Sequence, residues 1–156
     1  MLPKWKKVGE SGNMFFGSYV HVLDEKNRLL IPSKLRGEVG AKLYIIKGYD
    51  GALALYCEAD FENYLNNLKS QSFASKLSRD VERIALSTVA ELEIDKQSRI
   101  QIPAQLIAKY SLTKEVVILG VLDHLEIWNK SKWDEYLKEN EAGFEEKSEE
   151  LLKNNG

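Results

Sequence analysis

Ten residues of this chain occur twice. Residues 23–32 read Leu-Asp-Glu-Lys-Asn-Arg-Leu-Leu-Ile-Pro and residues 94–103 read Ile-Asp-Lys-Gln-Ser-Arg-Ile-Gln-Ile-Pro, with Asp, Arg, Ile and Pro all displaced by 71 positions. In each copy an Asp, three polar residues and an Arg separate two apolar, β-prone runs, the pattern of a strand, a turn and a second strand. Arg28 and Arg99 therefore stand at turn exits. The Pro four residues on ends the strand and opens a short helix, because it lacks a ladder donor and has a fixed φ. A chain duplicated in this way places the same charged turn twice in the same setting.

The flanking sequence repeats the plan. Phe15–Leu23 is aromatic and β-branched enough for a strand, with Gly17 marking a bulge, and Arg28–Ile31 is the second strand. Pro32–Val39 reads as a short helix, and Lys42–Lys47 and Ala52–Cys57 as strands joined by Gly48-Tyr49-Asp50-Gly51, whose Asp-Gly pair signals a hairpin. Ala59–Asn67 begins a helix with Phe61, Tyr64, Leu65 and Leu68 on one face. Ser70–Ser87, with Phe73, Leu77, Val81, Ile84 and Ala85 at helical spacing, reads as a helix that carries the chain back. Thr88–Ile94 then mirrors the first strand, with Ala90, Leu92 and Ile94 on one face and Glu91 and Glu93 on the other. Arg99–Ile102, a Pro103-led helix to Ala108, and strands Glu115–Leu119 and Leu125–Trp128 follow. Gly48 matches Gly120, Tyr56 matches Trp128, and Phe61-Glu-Asn-Tyr-Leu matches Trp133-Asp-Glu-Tyr-Leu, now offset by 72. A last helix starts near Ser131 and runs toward Leu152; beyond Gly143 the sequence is rich in Glu and Lys and is read as a frayed, solvated arm rather than a partner-dependent helix.

The expected organisation is a disordered leader or tag over 1–13 with Met14 as the native start, repeat 1 over 14–70, a connecting helix over 71–87, repeat 2 over 88–138 and an acidic arm over 139–156. Each half offers about four short strands and a helix, too little to bury both sheet faces alone. Two halves with strands interleaved about an internal pseudo-twofold axis can do so, which makes the fold α+β and sets the two charged turns side by side at one rim.

Composition excludes several function classes. No apolar run approaches the roughly 20 residues that span a bilayer, and Gly9-Glu10-Ser11-Gly12-Asn13 follows the early lysines where an export signal needs an apolar stretch; the expected location is the cytoplasm. Cys57 is the only cysteine, so neither an intrachain disulfide nor a thiolate cluster can form, and it reads as a buried small hydrophobe. His21 and His124 read as structural. With no Gly-rich phosphate loop, no Ser/His/Asp or Cys/His signature and no clustered metal ligands, the chain is not expected to be an enzyme, and no cofactor, metal or small-molecule substrate is expected. Net charge is −2, but residues 134–156 hold eight acidic residues against three lysines. That leaves residues 1–133 with 19 basic and 16 acidic residues, a surplus of +3.

The two Asp-x-x-x-Arg segments, with Met14-Phe-Phe-Gly and Gly48-Tyr-Asp-Gly-Ala-Leu beside them, resemble those of MraZ proteins from Met14 to about Tyr136. The resemblance implies a tandem AbrB-like swapped-hairpin β-barrel, that is a double-split β-α-β arrangement with pseudo-twofold symmetry and peripheral helices. It further implies a ring-shaped homo-oligomer and a nucleoid-associated bacterial transcriptional regulator. The implied targets are tandem direct repeats in the promoter of the division and cell wall gene cluster that starts with the regulator's own gene. Many members of that family have Gly just before the motif Arg, where this chain has Asn27 and Ser98.

The chemistry of such a site is electrostatic first. Lys and Arg displace counterions condensed on duplex phosphates, and Arg can pair bidentately with guanine. The expected double-stranded DNA contacts are Arg28 and Arg99, then Lys26, with Lys96, Lys34 and Arg36 behind them; Asp24 and Asp95 are expected to structure the turns. Two other readings compete, an antitoxin-type autorepressor of related fold and a ring-forming scaffold without a DNA role.

Overall fold

A computed structural model describes residues 14–36 and 41–155, leaving aside the side chains of residues 34, 36 and 155. The leader expected over 1–13 lies outside the described residues. The first half holds β1 (Ser18–Val22), β2 (Arg28–Leu30), α1 (Ser33–Arg36), β3 (Lys42–Lys47), β4 (Leu53–Cys57) and α2 (Glu58–Lys69). After α3 (Lys76–Leu86) the second half repeats the order as β5 (Ala90–Glu93), β6 (Arg99–Gln101), α4 (Ala104–Lys109), β7 (Glu115–Val121), β8 (His124–Asn129) and α5 (Lys130–Asn140). A 3₁₀ turn over Glu141–Gly143 and α6 (Phe144–Asn155) close the chain.

Six strands form one antiparallel sheet in the order β1-β7-β8-β4-β3-β5, and β2 pairs with β6 in a two-stranded ribbon. Every strand of one half finds a neighbour in the other, except that β3 pairs with β4 and β7 with β8 as hairpins as well. Exchanging the halves reverses the sheet order without changing it. The register fixes the pseudo-twofold axis: Leu29 pairs with Ile100 and Ala54 with Glu126, each residue opposite its own counterpart in the other repeat. The architecture is the duplicated, interleaved α+β fold that the sequence predicts, and it fits the AbrB-like arrangement that the resemblance implies.

The interleaving follows from what each half must bury. Leu29, Ile45, Leu53, Ile100 and Ile127 are fully buried in one cluster that draws on both repeats and both sheets, so neither half has this core alone. On the outer face, α2 and Ala85 of α3 cover Ile46, Ala54 and Tyr56, while Trp133 and Tyr136 of α5 cover Val117, Leu119 and Trp128. Covered on both sides, β4 is buried at every residue, which explains its uninterrupted apolar sequence. The β3–β4 hairpin turns at Asp50 and Gly51, both at positive φ, as the favoured two-residue hairpin turn demands.

Three expectations are corrected, and a fourth falls partly outside the described residues. The first strand is broken at Gly17, so that Phe15 makes a separate bridge to Leu122 and the regular strand begins at Ser18. The helix expected over 32–39 is described over Ser33–Arg36, and 37–40 lie outside the described residues. The connecting helix starts only at Lys76, because Ser75 caps it through Ser78 N–H and Ser72 accepts from Ala74 N–H in the turn before it; such local bonds compete with helix extension. The last helix is two helices separated at Gly143, and the stretch expected as a frayed arm is helical. Glu145 and Glu146 in the first turn of α6 suit the positive end of its dipole, and Ser148 donates to the Phe144 carbonyl.

Candidate nucleic-acid interface

Each charged turn is built around its aspartate. Asp24 Oδ1 accepts from the backbone N–H of Lys26 (2.8 Å) and of Arg28 (2.9 Å), while Oδ2 accepts from Arg28 Nε at 2.6 Å. Asp95 repeats the pattern with Gln97 N–H (2.8 Å), Arg99 N–H (2.9 Å) and Arg99 Nε at 3.1 Å. The backbone closes each turn in the same way, through Asn27 N–H to the Asp24 carbonyl and Ser98 N–H to the Asp95 carbonyl, both 3.0 Å. Asp24 and Asp95 thus structure the turns, and the arginines are paired with them. The pairing engages Nε of each arginine, and in the second turn Nη1 of Arg99 also lies near a carboxylate. Side chains of Arg28 and Arg99 are 31% and 26% exposed, so an ion pair there gives about 0–1 kcal/mol.

The two turns touch. Arg99 Nη1 lies 3.7 Å from Asp24 Oδ2, and Gln101 Nε2 donates to the Lys26 carbonyl at 3.0 Å. Ile31 N–H donates to the Ser98 carbonyl and Ile102 N–H to the Asn27 carbonyl, each at 2.9 Å, a reciprocal pair of bonds that staples each strand to the other repeat's turn. Lys26 and Lys96 are exposed on this rim. With Arg28 and Arg99 they oppose Asp24, Glu25 and Asp95, leaving one positive charge in excess over the two turns. Lys34 and Arg36 belong to α1, which follows β2 directly, but their side chains lie outside the described residues. The arrangement therefore joins Arg28, Arg99, Lys26 and Lys96 and leaves those two unplaced.

Sequence reasoning missed the cross-links between the turns. Gln101 and the Asp24–Arg99 pair depend on the β2–β6 register, which no local pattern reports. Gln97 is exposed and occupies the place in the second turn that Lys26 holds in the first, so the two turns are not electrostatic copies. Cys57 is buried, as expected. Among the described residues no group of three or more His, Cys, Asp or Glu is arranged to hold a metal ion, and no helix is long and apolar enough to cross a membrane.

Both motif aspartates titrate below the usual carboxylate range. For each the largest cause is the backbone N–H of the motif arginine; the arginine side chain and the N–H of Lys26 or Gln97 act in the same direction, against desolvation. A carboxyl with a depressed folded pKa stabilises the fold fully above its unfolded value of about 3.9 and loses that contribution as pH falls through the folded value. The thermal midpoint is therefore expected to drop on acidification below about pH 4, and to drop less in Asp24→Asn/Asp95→Asn, as a melting series across pH would record. Asn27 and Ser98 both sit at φ 61°. Asn tolerates this left-handed conformation better than Ser, so Ser98→Gly is expected to raise stability by about 0.5–1 kcal/mol and Ser98→Val to lower it, measured by urea unfolding.

The sequence matches the family model described as "MraZ protein, putative antitoxin-like" twice, over residues 14–84 and 85–155. Among similar proteins is one named "Transcriptional regulator MraZ" from Ureaplasma parvum serovar 3, 37% identical over 90% of this chain and 99% of its own length. Proteins of the same name from Thermoanaerobacter pseudethanolicus and Mycoplasmoides gallisepticum are 39% and 40% identical over 88% and 87% of this chain, and 96% and 94% of theirs.

Proposed function

The chain belongs to the MraZ family, and on that premise we propose that it is a DNA-binding transcriptional regulator. In the finer form of this reading it works as a ring-shaped oligomer. It grips tandem direct repeats in the promoter of the division and cell wall gene cluster through its Asp-x-x-x-Arg turns. The observation that carries the reading is the contact between the two turns, with Arg99 reaching Asp24 and Gln101 holding the Lys26 carbonyl. Ion pairs near the surface contribute about 0–1 kcal/mol, which is little for a pair placed twice. A rigid double turn bearing two guanidinium groups instead suits a groove: aspartate fixes each arginine's direction, so little side-chain freedom is lost on binding.

Binding then divides by residue. Lys26 and Lys96 neutralise phosphates, and the Nη edges of Arg28 and Arg99 reach base edges or phosphates. One excess charge per turn pair gives weak attachment from a single subunit. Several turn pairs on one face of a ring, meeting repeats about 10 bp apart, add through effective concentration. The acidic tail need not oppose this, because screening confines its field to about 8 Å at physiological salt.

Titrating labelled DNA from the gene's own upstream region, against a shuffled sequence of equal length, tests the reading. Tighter, salt-sensitive binding of the native sequence is expected. Equal and weak binding of both at near-physiological salt would favour a scaffold without a DNA role.

A further inference from the structure

The two charged turns share a backbone but not a chemistry. Lys26 and Gln97 stand at the same place, each with its N–H on the motif aspartate's Oδ1 at 2.8 Å, each followed by a residue at φ 61°, and each exposed. Their side chains therefore leave equivalent points of the rim, related by the axis that sets Leu29 opposite Ile100. Lysine brings a positive charge to its point. Glutamine brings a neutral amide, with a donor and an acceptor side by side. Among the described residues that amide has no hydrogen-bond partner, so the second turn is closed without it.

The surrounding charges differ in step. The first turn sets Asp24 and Glu25 against Lys26 and Arg28 and is neutral, whereas the second sets Asp95 against Lys96 and Arg99 and carries +1. The positive surplus of the rim thus lies on the turn that bears Gln97. Its arginine is also the more restrained. Among the described residues Arg28 pairs with Asp24 alone, at 2.6 Å, while Arg99 is drawn to two carboxylates, Asp95 through Nε at 3.1 Å and Asp24 through Nη1 at 3.7 Å.

A neutral amide releases no counterions, so it gains less at a phosphate than the lysine of the first turn does. At a base edge it has a match. Adenine presents N6 as donor and N7 as acceptor in the major groove, which the two ends of one glutamine amide meet together; guanine presents two acceptors there and suits Arg or Lys. We propose that Gln97 is a specificity-determining residue that reads an adenine in the major groove, while its counterpart Lys26 serves a phosphate. The turn pair then has a direction. A frame with two identical turns would accept either orientation of a site, whereas one adenine-reading turn distinguishes them, as a row of direct repeats requires. The inference rests on the DNA-binding function proposed above and deepens it.

The test uses full-length Gln97→Ala and Gln97→Lys. The side chain is exposed and the N–H bond to Asp95 survives in both, so both should fold, as circular dichroism would verify. Each is titrated with upstream DNA, with shuffled DNA, and with upstream DNA in which single adenines of one repeat are replaced by 7-deazaadenine, which lacks the N7 acceptor. The wild type is expected to lose about fivefold or more in affinity at one adenine of the repeat. Gln97→Ala is expected to lose as much on the unmodified sequence, to be indifferent to that replacement, and to bind shuffled DNA with the wild-type affinity and salt slope. Gln97→Lys is expected to bind shuffled DNA more tightly, with a salt slope steeper by about one unit. A wild type with no sensitive adenine overturns the proposal. So does a Gln97→Ala variant that keeps the wild-type response to 7-deazaadenine, or one whose loss is equal on native and shuffled DNA; all three leave sequence reading by other residues in place. A wild type that binds native and shuffled DNA equally removes that reading itself, so the two failures are distinguishable.

Discussion

Replacing Arg28 and Arg99 together by alanine is expected to weaken binding to the upstream DNA by about 2 kcal/mol or more per turn pair, roughly 30-fold, given 1–3 kcal/mol for each bidentate contact. It should also flatten the salt dependence by about one unit for each phosphate that the variant no longer neutralises. The fold should survive, because the backbone bonds that close the turns on Asp24 and Asp95 remain. Comparison with Lys26→Ala separates the roles: a lysine on a phosphate costs affinity uniformly across sequences, whereas an arginine on a base edge relaxes discrimination at its position. Anisotropy titrations at three salt concentrations, on native and shuffled DNA, measure both quantities. Unchanged affinity in the double variant would contradict the assignment of the rim.

The second large effect concerns the frame that aims the turns. Gly120→Ala is expected to destabilise the protein by about 3 kcal/mol, a fall of roughly 6–12 °C in melting temperature. A Cβ at this position would stand 2.3 Å from Phe16 N and 2.7 Å from Phe15 C, and these are backbone atoms that no rotamer change can clear. The segment cannot simply lift away. Phe15 and Leu122 exchange hydrogen bonds of 2.7 and 2.8 Å, Gly120 N–H donates to the Gly17 carbonyl at 2.9 Å, and the Phe15 ring is part of the core. Gly48, its counterpart in the first repeat, lies against a single carbonyl oxygen at 2.9 Å, so Gly48→Ala should cost markedly less. Equal melting temperatures for the two variants would show that the Phe15–Leu122 bridge yields more readily than its geometry indicates.

Much of this frame is legible in the sequence because the chain is duplicated. The turns announce themselves as two copies of one pattern, and the poverty of each half in burial forces the halves to interleave. The positive φ at Asn27 and the Asp50-Gly51 turn follow from residues that favour those conformations. Ser98 adopts the same φ without that preference, because its turn is imposed by Asp95 and by the strand pairing of the repeat. The contact between the turns is not legible, since it depends on β2 meeting β6 with Leu29 opposite Ile100, a long-range register. The periodicity of Leu77, Val81 and Ile84 reveals an apolar face but not what covers it, and here the chain's own core does not. Likewise the glutamates and lysines of residues 144–155 suggest solvation, while the same residues are strong helix formers, and the helix results.

The most direct measurement places a photoreactive side chain at Lys26, at Lys96 or, as a control on the β3–β4 hairpin, at Tyr49, and maps cross-links to the upstream DNA. Cross-links from positions 26 and 96, falling at each direct repeat and absent from position 49, are the predicted result. Cross-linking from position 49 with none from 26 or 96 would mean that another surface meets the DNA and that the paired arginine turns serve the fold alone.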